Sequence, residues 1–561
     1  MEGVNVTPSV IHLAKLILRE VFGEVVEAVA GELLQWNNQH LGTLFKSQAL
    51  AGMQGKHGQQ KLCEALMVLI HHNLVTFSRN EDDKFIRYNL NVDHVLNVVC
   101  YPRYMLLAKT LFGDEGEILT EELLSRGQDC ASNLICRAAR RLGLSKANIN
   151  IEHNKEISEI INNIHRAFKE MTSCHFIGRV ESPYSSDEKL NGEGLHNEGM
   201  PLLNMPQTNK YKCPDLDIKA VTAYVCKILV EDADEKTFVD TISDNKVLWK
   251  INLSRFHREF RDILIVQAVQ RRIDASAGNL MRMMLTLMNE RSPWSEISAH
   301  ISQEDLTARV QAAPKTSAAG ADEKLQNYLD QYLKVLEEDR TRFCDRVGDA
   351  GGGQYVINVK RIFTELASAT ADNIVLEKFG SKALRIFRVI REKLHVEESQ
   401  LQGFVMIPAK EIKLLTYKLL ENNFIQLQEL RKSISNNAPT KSFYLFYVDL
   451  NQVVRMIAEM CRKAQGNAFT RKNYDAAQNR RLLEKQEKVE SIAVNLKESG
   501  GSEDPEELQL QLQEIQDMLS PVERETAKRI HDRMDQLERA VNQIDDTLFV
   551  MNMFLRYNSS V

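Results

Sequence analysis

The sequence predicts a mainly α-helical protein, with tandem winged-helix domains that carry small β-wings, followed by a C-terminal coiled-coil helical hairpin. Groups of amphipathic helices repeatedly lead into two short period-two segments joined by a turn. The end of the chain instead spaces its apolar residues by alternating steps of three and four. The 561 residues also exceed what one hydrophobic core usually serves, so several domains are expected.

A first winged helix is predicted at residues 1–98. Helices whose apolar residues recur at three- and four-residue spacing are predicted at 10–22, 24–36 and 58–72. The period then switches to two at 74–77, and a second strand follows a polar turn at 85–88. Three helices followed by a small hairpin are typical of a winged helix.

A second winged helix is predicted at residues 99–180, with a less obvious wing. Its expected elements are helices at 103–112, 116–126, 130–142 and 157–171 and a short strand at 175–180. Residues 181–248 are interpreted as a partly disordered linker or insertion. Residues 181–214 in particular mix Ser, Asn, Gly and Pro with few paired apolar positions, which is too polar for a core.

Two more winged helices are predicted at 249–360 and 361–465. The third has expected helices at 256–272, 275–289 and 323–337, the last in the place of a recognition helix, and a hairpin at 342–358. The fourth has expected helices at 362–379, 382–393 and 408–421 and strands at 424–430 and 443–448. Pro408 suits the first position of its helix.

The glycine-rich run from Gly348 to Gly353 is predicted to be the tip of the third wing. Its glycines could approach a phosphate, but no Lys-Ser or Lys-Thr pair follows as it does in a P-loop. A strand rather than a helix comes next, so the helix N-terminus that would hold a phosphate is missing. A wing tip can still contact a DNA backbone.

Residues 466–561 are predicted to form the coiled-coil hairpin. The predicted seam comprises Ile530, Met534, Leu537, Val541, Ile544, Leu548, Met551 and Leu555, which alternate four- and three-residue steps. The rhythm continues upstream over 512–522, with a break near Thr526 that resembles a stutter. A preceding helix at 474–497 and a turn at 500–502 complete an antiparallel hairpin. Because the seam is too apolar to stay in water, it is expected to pack on this partner or on another surface.

Composition excludes several classes of function. From residue 471 onwards the chain has 13 Lys and Arg and 18 Asp and Glu, which leaves the preceding part of the chain almost neutral, so any contact with DNA is expected to be local.

The sequence also lacks the signals of several other classes of protein. Cysteines lack zinc-site spacing, no apolar run is long enough to span a membrane, and no secretory signal is recognisable. His71 and His72 end a helix, where a cation favours the helix dipole. We therefore expect no catalytic residues, no metal and no cofactor.

Basic residues on the expected recognition helices and wings are the candidates for contact with DNA phosphates. They are Lys61, Arg79, Lys84 and Arg87 in the first domain, Arg137, Arg140 and Arg141 in the second, Arg342, Arg346 and Lys360 in the third, and Lys410, Lys413 and Lys418 in the fourth. Winged helices also serve as protein-docking modules, so the fold does not decide between the two uses.

Seven short strings, in order along the chain, closely resemble the third-largest subunit family of RNA polymerase III. The strings are His72-Asn73-Leu74-Val75, Tyr101-Pro102-Arg103-Tyr104, Arg255-Phe256-His257 with Phe260-Arg261-Asp262, residues 351–358 (GGGQYVIN), Arg385-Ile386-Phe387-Arg388, residues 406–411 (MIPAKE) and residues 481–485 (RLLEK). The resemblance implies four extended winged helices and a coiled coil, similar in part to the alpha subunit of transcription factor IIE.

The same resemblance implies a nuclear, non-catalytic subunit that joins two smaller polymerase III subunits in a heterotrimer on the polymerase clamp. Its partners would be that clamp and core and promoter DNA, duplex or melted, at transfer RNA and 5S ribosomal RNA genes, with no membrane and no small-molecule substrate. The alternative is a scaffold subunit of a non-transcriptional assembly of the proteasome-lid or cullin type. Such scaffolds usually place one winged helix after a long helical repeat, whereas here the winged-helix pattern recurs before the coiled coil.

Overall fold

A computed structural model describes residues 7–47, 56–78, 85–145, 154–180, 247–312, 319–432, 441–499 and 519–558, with residues 210, 211, 213 and 221. Within these residues the chain is mainly α-helical and forms four three-stranded antiparallel sheets, which confirms the predicted fold class. The chain divides into two compact units. Unit 1 comprises Met1–His257 and Gln465–Arg539, and unit 2 comprises Arg258–Ala464 and Ala540–Val561.

The first winged helix lies in unit 1. Its elements are α1 (Pro8–Phe22), α2 (Glu24–Gln35), β1 (Gln39–His40), α3 (Leu41–Lys46), α4 (Lys56–His71), β2 (Val75–Ser78) and β3 (Arg87–Leu90), followed by α5 (Val92–Asn97). Helix α1 begins where Pro8 follows Thr7, whose hydroxyl accepts a hydrogen bond from the Val10 amide at 3.4 Å. The core lies between the helices and the sheet, whose strand order is β1-β3-β2.

The second winged helix, also in unit 1, contains the wing strand that the sequence left unassigned. Its elements are α6 (Tyr101–Arg126), β4 (Asp129–Cys130), α7 (Ala131–Ser145), α8 (Asn154–Ser173), β5 (Ile177–Arg179) and β6 (Leu248–Ile251). The two helices predicted at 103–112 and 116–126 form the two arms of α6, which are separated at Gly113, where the backbone is not helical and has φ 79°. A positive φ suits glycine, which has no Cβ to clash.

Strand β6 corrects the predicted start of the third domain. Residue 248 was assigned to the linker and residue 249 to the third winged helix, but Ile177 pairs with Ile251 and Arg179 with Trp249. The buried Trp249 ring also packs edge-on against Phe168, with ring centroids 5.4 Å apart. Burial of this large ring therefore ties the end of the insertion back to the second domain. The other predicted domain boundaries stay predictions, and most of residues 181–248 lies outside the described residues.

The third winged helix follows helix α9 (Leu253–Arg272), which has residues in both units. Its elements in unit 2 are α10 (Ala275–Arg291), β7 (Ile301–Ser302), α11 (Gln303–Ala312), α12 (Ala319–Glu338), β8 (Cys344–Gly348) and β9 (Gln354–Ile357). The glycine-rich run joins β8 to β9, and Gly351, Gly352 and Gly353 all have positive φ. This backbone needs glycine, as the wing-tip interpretation predicts.

The fourth winged helix completes this part of unit 2. Its elements are α13 (Val359–Phe379), α14 (Ser381–Lys393), β10 (Val396–Glu397), α15 (Glu398–Val405), α16 (Ala409–Glu421), β11 (Gln426–Lys432) and β12 (Lys441–Tyr447). Pro408 is the N-cap of α16 rather than its first residue. In each sheet the first strand has two residues, too few to show a period, so the sequence did not reveal it.

The C-terminal region consists of α17 (Leu450–Gln478), α18 (Arg480–Ser499) and α19 (Pro521–Asn558). Within unit 1, Lys472 forms an ion pair with Glu538 at 2.9 Å, and Lys485 forms one with Glu523 at 2.9 Å. From the first pair to the second, the residue number increases on one arm of the hairpin and decreases on the other, so the two arms run antiparallel. Its predicted turn at 500–502 and seam residues at 512–518 lie outside the described residues.

Two details of the predicted hairpin are wrong. The helix expected at 474–497 is divided at Asn479, where α17 ends and α18 begins. The seam was also expected to continue upstream of Thr526 with only a stutter, but residues 519 and 520 are not helical. Helix α19 starts at Pro521, after Ser520, whose hydroxyl accepts a hydrogen bond from the Glu523 amide at 3.2 Å. Val522 is exposed, so it does not continue the seam.

In unit 2 the end of α19 is held by a buried polar network around Arg261. Its guanidinium donates to Asp262 at 2.7 Å, to Asn289 at 2.8 Å and to the Tyr557 hydroxyl at 3.1 Å. It also donates to the carbonyl of Pro293 at 2.6 Å. Because the arginine side chain is fully buried, these bonds satisfy a charge that would otherwise be very costly to bury.

Candidate nucleic-acid and partner interface

The helix before each β-hairpin is the recognition helix of a winged helix, and here these helices are α4, α8, α12 and α16. Their solvent-facing surfaces differ in chemistry, although the folds repeat. Side chains that pack on the sheet are fixed by the fold, but the exposed ones are free to vary. The four domains therefore offer four different surfaces for partners.

The first recognition helix has an exposed surface that is more apolar than basic. Lys61 is exposed on α4, but Met67 and Val68 are exposed on the same helix. Arg87 is half-buried on strand β3, and the other two candidates, Arg79 and Lys84, lie outside the described residues. Exposed apolar residues on a recognition helix favour contact with protein over contact with DNA.

In the second domain the predicted arginines lie on the wrong helix. Arg137, Arg140 and Arg141 belong to α7, and the helix that precedes the hairpin is α8. Arg137 forms an ion pair with Asp129 at 2.6 Å, and Arg141 forms ion pairs with the two glutamates 121 and 122 at 3.0 and 3.2 Å. Arg140 is exposed. Two of these charges are thus largely compensated within the domain.

Sequence reasoning missed the basic residues of α8 itself. Arg166 and Lys169 are exposed on this helix and have no carboxylate partner among the residues that the structure describes. Three-residue spacing places them on one helical face. The sequence did predict this helix and the strand after it, so assigning it as the recognition helix would have found both residues.

The third wing carries its cations beside acidic side chains. Arg342 and Arg346 are exposed, and Arg346 forms an ion pair with Asp349 at 2.8 Å. Lys360 forms one with Glu296 at 3.3 Å in the first turn of α13, away from the wing tip. The local charge of this wing is therefore close to balanced, which weakens its attraction for a phosphate backbone.

Among the side chains whose exposure the structure describes, the fourth recognition helix exposes more lysine and arginine residues than the other three. Lys410, Lys413 and Lys418 are exposed on α16, and only Lys413 has a carboxylate within 4 Å in the described part of the chain, Glu398 at 3.9 Å. Leu414 and Tyr417 are exposed among them, so the lysines rather than the lack of apolar residues distinguish this helix from α4. Lysines interleaved with an aromatic ring can contact phosphates and stack on an unpaired base.

The predicted seam residues on α19 all lie against other parts of the protein to some extent. Ile530, Val541, Leu548 and Met551 are buried, and Met534, Leu537, Ile544 and Leu555 are half-buried. Beyond residue 547 the burial is no longer confined to one stripe. Phe549, Met553, Phe554 and Tyr557 join the unit 2 core, as expected for a helix surrounded on several sides rather than for a two-stranded seam.

Residues of unit 1 line a cavity of about 270 Å³ between the first two winged helices. Its lining includes His72, His94 and Tyr101. Burial, with a smaller effect of the neighbouring His71, lowers the pKa of His72 to about 4. The side chain is therefore neutral near pH 7, so our expectation of a cation at this helix end is wrong for His72.

Among the described residues, no group of three or more His, Cys, Asp or Glu side chains is placed to hold a metal ion. None of their helices combines the length and the apolar character needed to cross a bilayer.

Four family models match separate parts of the sequence, in order. RNA polymerase III subunit RPC82 helix-turn-helix domain matches residues 12–80, and RNA polymerase III subunit RPC82 matches residues 166–366. POLR3C, C-terminal winged-helix domain, matches 371–448. The helical hairpin domain of DNA-directed RNA polymerase III subunit RPC3 matches 481–550.

Individual proteins similar to the chain are also named as subunits of RNA polymerase III. The chain is similar to DNA-directed RNA polymerase III subunit RPC3 of Mus musculus, at 32% identity over 559 residues, and of Rattus norvegicus, at 31% over 563 residues. In both cases the alignment covers 98% of each protein. The Dictyostelium discoideum subunit rpc3 is 27% identical over 44% of this chain and 37% of its own length.

Proposed function

Because the chain belongs to the family of DNA-directed RNA polymerase III subunit RPC3, we propose that it is a non-catalytic polymerase III subunit that docks partner subunits and touches promoter DNA. In this proposal it joins two smaller subunits in a heterotrimer on the polymerase clamp. It works in the nucleus and supports promoter-directed initiation and DNA opening at small RNA genes, among them transfer RNA and 5S ribosomal RNA genes. No cofactor, metal or small-molecule substrate takes part.

The observation that carries this proposal is the whole-length similarity to polymerase III subunits, together with four winged helices in one chain. Each winged helix presents a recognition helix and a wing, which are surfaces for binding rather than for bond chemistry. The repeated domains before the hairpin also disfavour the alternative scaffold of the proteasome-lid or cullin type.

The DNA contact that we propose is local and is centred on the fourth recognition helix. Lys410 and Lys418 are exposed without a carboxylate partner among the described residues, so neither has to give up an ion pair to reach a phosphate. The other DNA-contact candidates remain proposals of lower rank, because Arg137, Arg141, Arg346 and Lys360 already have acidic partners. Protein contacts would supply most of the affinity.

Purification of the tagged chain from nuclear extract tests the assembly part of the proposal. The expected result is recovery of the polymerase III core with two smaller subunits at equal stoichiometry. Recovery of a proteasome-lid or cullin-type assembly without polymerase subunits would contradict it and support the alternative.

Charge reversal on α16 tests the DNA part. In the assembled polymerase, the triple change Lys410→Glu, Lys413→Glu and Lys418→Glu should weaken promoter binding and reduce the slope of log affinity against log salt by about 2–3, because each lost phosphate contact removes roughly 0.7–0.9. The triple change to arginine is the matched control and should retain the slope. Unchanged salt dependence in a fully assembled glutamate variant would exclude this helix as a DNA contact.

A further inference from the structure

One corner of the fourth winged helix exposes three large apolar side chains. Leu394 follows helix α14, and Phe404 and Met406 lie at the end of α15. Their exposed fractions are 70%, 51% and 86%. We call these three residues the corner patch. Single exposed apolar residues are ordinary on protein surfaces, but a group of this size at one corner marks an interaction site.

Two residues of the corner patch occupy backbone positions that favour glycine. Met406, with φ 57° and ψ 42°, lies in the left-handed helical region, and Leu394, with φ 68° and ψ −60°, lies at the centre of a strained γ-turn; each directly follows a helix. A side chain there costs about 1 kcal/mol relative to glycine, and glycine is the common residue after a helix. Both side chains also point into water, so neither contributes core packing. Their retention is best explained by something that binds them.

Two cations of helix α14 lie beside the corner patch and contact the end of α15. The Lys393 ammonium lies 5.3 Å from the centre of the Phe404 ring, and Arg385 donates to the carbonyl of Val405 at 3.4 Å. Neither cation has a carboxylate partner in the part of the chain that the structure describes.

The other cations of helix α14 do have such partners. Lys382 pairs with Glu411 at 2.6 Å, and Arg388 and Arg391 pair with the buried Asp372 at 2.8 and 2.7 Å. The unpaired cations of α14 therefore lie at the corner patch, where Glu392 is exposed beside Lys393 but forms no ion pair with either cation in the described part of the chain.

We propose that the corner patch docks an acidic segment of a partner polymerase subunit, with apolar side chains that cover Leu394, Phe404 and Met406 and carboxylates that pair with Arg385 and Lys393. Charge complementarity selects an acidic occupant. Only Phe404 in the patch has a planar face for a base, and surfaces that read DNA are far more polar, so the observations favour protein over nucleic acid. The flexible methionine can adapt to a peptide. This inference rests on the proposed role of the chain as a docking subunit.

Site-specific crosslinking in the purified, assembled polymerase tests the proposal. A photoreactive benzoylphenylalanine replaces Met406, and mass spectrometry identifies the crosslinked peptide; the same residue at the exposed Val522 serves as the control position. The expected product from position 406 is a partner-subunit segment with more acidic than basic residues. Crosslinks to DNA, to a basic segment or to nothing would overturn the proposal. Absence of the chain from the polymerase would instead overturn the proposed function.

Glycine substitution separates binding from folding. With the photoreactive residue at Phe404, the double change Leu394→Gly and Met406→Gly should lower the partner crosslink at least about tenfold, since each apolar anchor of an interface is worth more than about 1 kcal/mol. The Tm of the transition that unfolds the fourth winged helix should stay unchanged or rise, because glycine suits both backbones. A marked fall in Tm, or an undiminished crosslink, would contradict a docking role.

Charge reversal identifies the sign of the occupant. The double change Arg385→Glu and Lys393→Glu should remove the same crosslink, whereas Arg385→Lys with Lys393→Arg should retain it. A stronger crosslink in the glutamate variant would show that the occupant is basic and would overturn the proposal.

Discussion

Replacement of Arg261 by methionine should release the end of α19 from unit 2. The methionine fills a similar volume but donates no hydrogen bond, so the partly buried Asp262 loses its counter-charge and the Tyr557 hydroxyl loses its donor. Breaking a buried ion pair by removing one partner costs about 3–5 kcal/mol. The Tyr557 bond alone, with its charged donor, accounts for about 1.5–3 kcal/mol of such a loss.

Amide hydrogen exchange is the suitable assay, because a chain with several domains has no single free energy of unfolding. Peptides from residues 549–558 and 259–262 should exchange faster by about a hundredfold to several thousandfold in Arg261→Met, which is the exchange equivalent of 3–5 kcal/mol. Tyr557→Phe should give a smaller increase in the same peptides. Peptides from the first winged helix, in unit 1, should keep the wild-type rate.

Arg282→Met is the matched control, because Arg282 is exposed on the neighbouring helix α10 and makes no ion pair among the described residues. Its exchange should match that of the wild-type protein. If Arg261→Met also leaves the exchange of residues 549–558 within about threefold of wild type, the network does not hold α19 and the reasoning from burial is refuted.

Three further predictions concern unit 1 and the third wing. Gly127→Ala should lower the Tm of the first two winged helices and cost at least about 1–2 kcal/mol, because Gly127 has φ 82° and an added Cβ would lie 2.4 Å from the backbone oxygen of His71. Gly403→Ala, at a helical site with open space, should not destabilise its domain, and a Gly127→Ala protein with the wild-type Tm would contradict the clash. The lowered pKa of His72 means that the folded protein favours the neutral imidazole, so thermal stability should fall as the pH drops from about 6.5 towards 4. His72→Leu should make this fall smaller. An identical dependence of Tm on pH in the variant would exclude His72 as the cause. Charge reversal at Arg342 and Arg346 should reduce promoter-directed transcription more than subunit assembly in a reconstituted system, and reversal of the ion-paired Lys360 is the comparison. Normal transcription by the protein with Arg342 and Arg346 reversed would remove the third wing from the DNA-contact proposal.

Local patterns were enough to predict most of the larger elements. The helix predicted at 10–22 is α1 within two residues, and the hairpin predicted at 342–358 contains β8 and β9. These elements form because their own amphipathic period or turn residues favour them, so a short window of sequence contains the cause. The seven strings likewise identified the family, which whole-length relatives confirm.

Partner choice could not be read in the same way. The sequence of residues 248–251 contains no local signal that they pair with β5 across a long insertion. Nor does a local pattern show that Arg137 and Arg141 form ion pairs with acidic side chains. The same holds for the end of α19, where the a/d rhythm predicted one buried stripe. Core contacts bury Phe549 and Phe554 as well.

The sequence by itself thus determined the helical class, the repeated wings and the hairpin, since each follows from the period of a continuous segment. Only the tertiary structure decided which strand completes the second sheet, which helix of that domain precedes its wing, and which cations remain without a partner. Those outcomes depend on distances between residues far apart in the chain, and on the burial that the whole unit imposes, neither of which a local pattern contains.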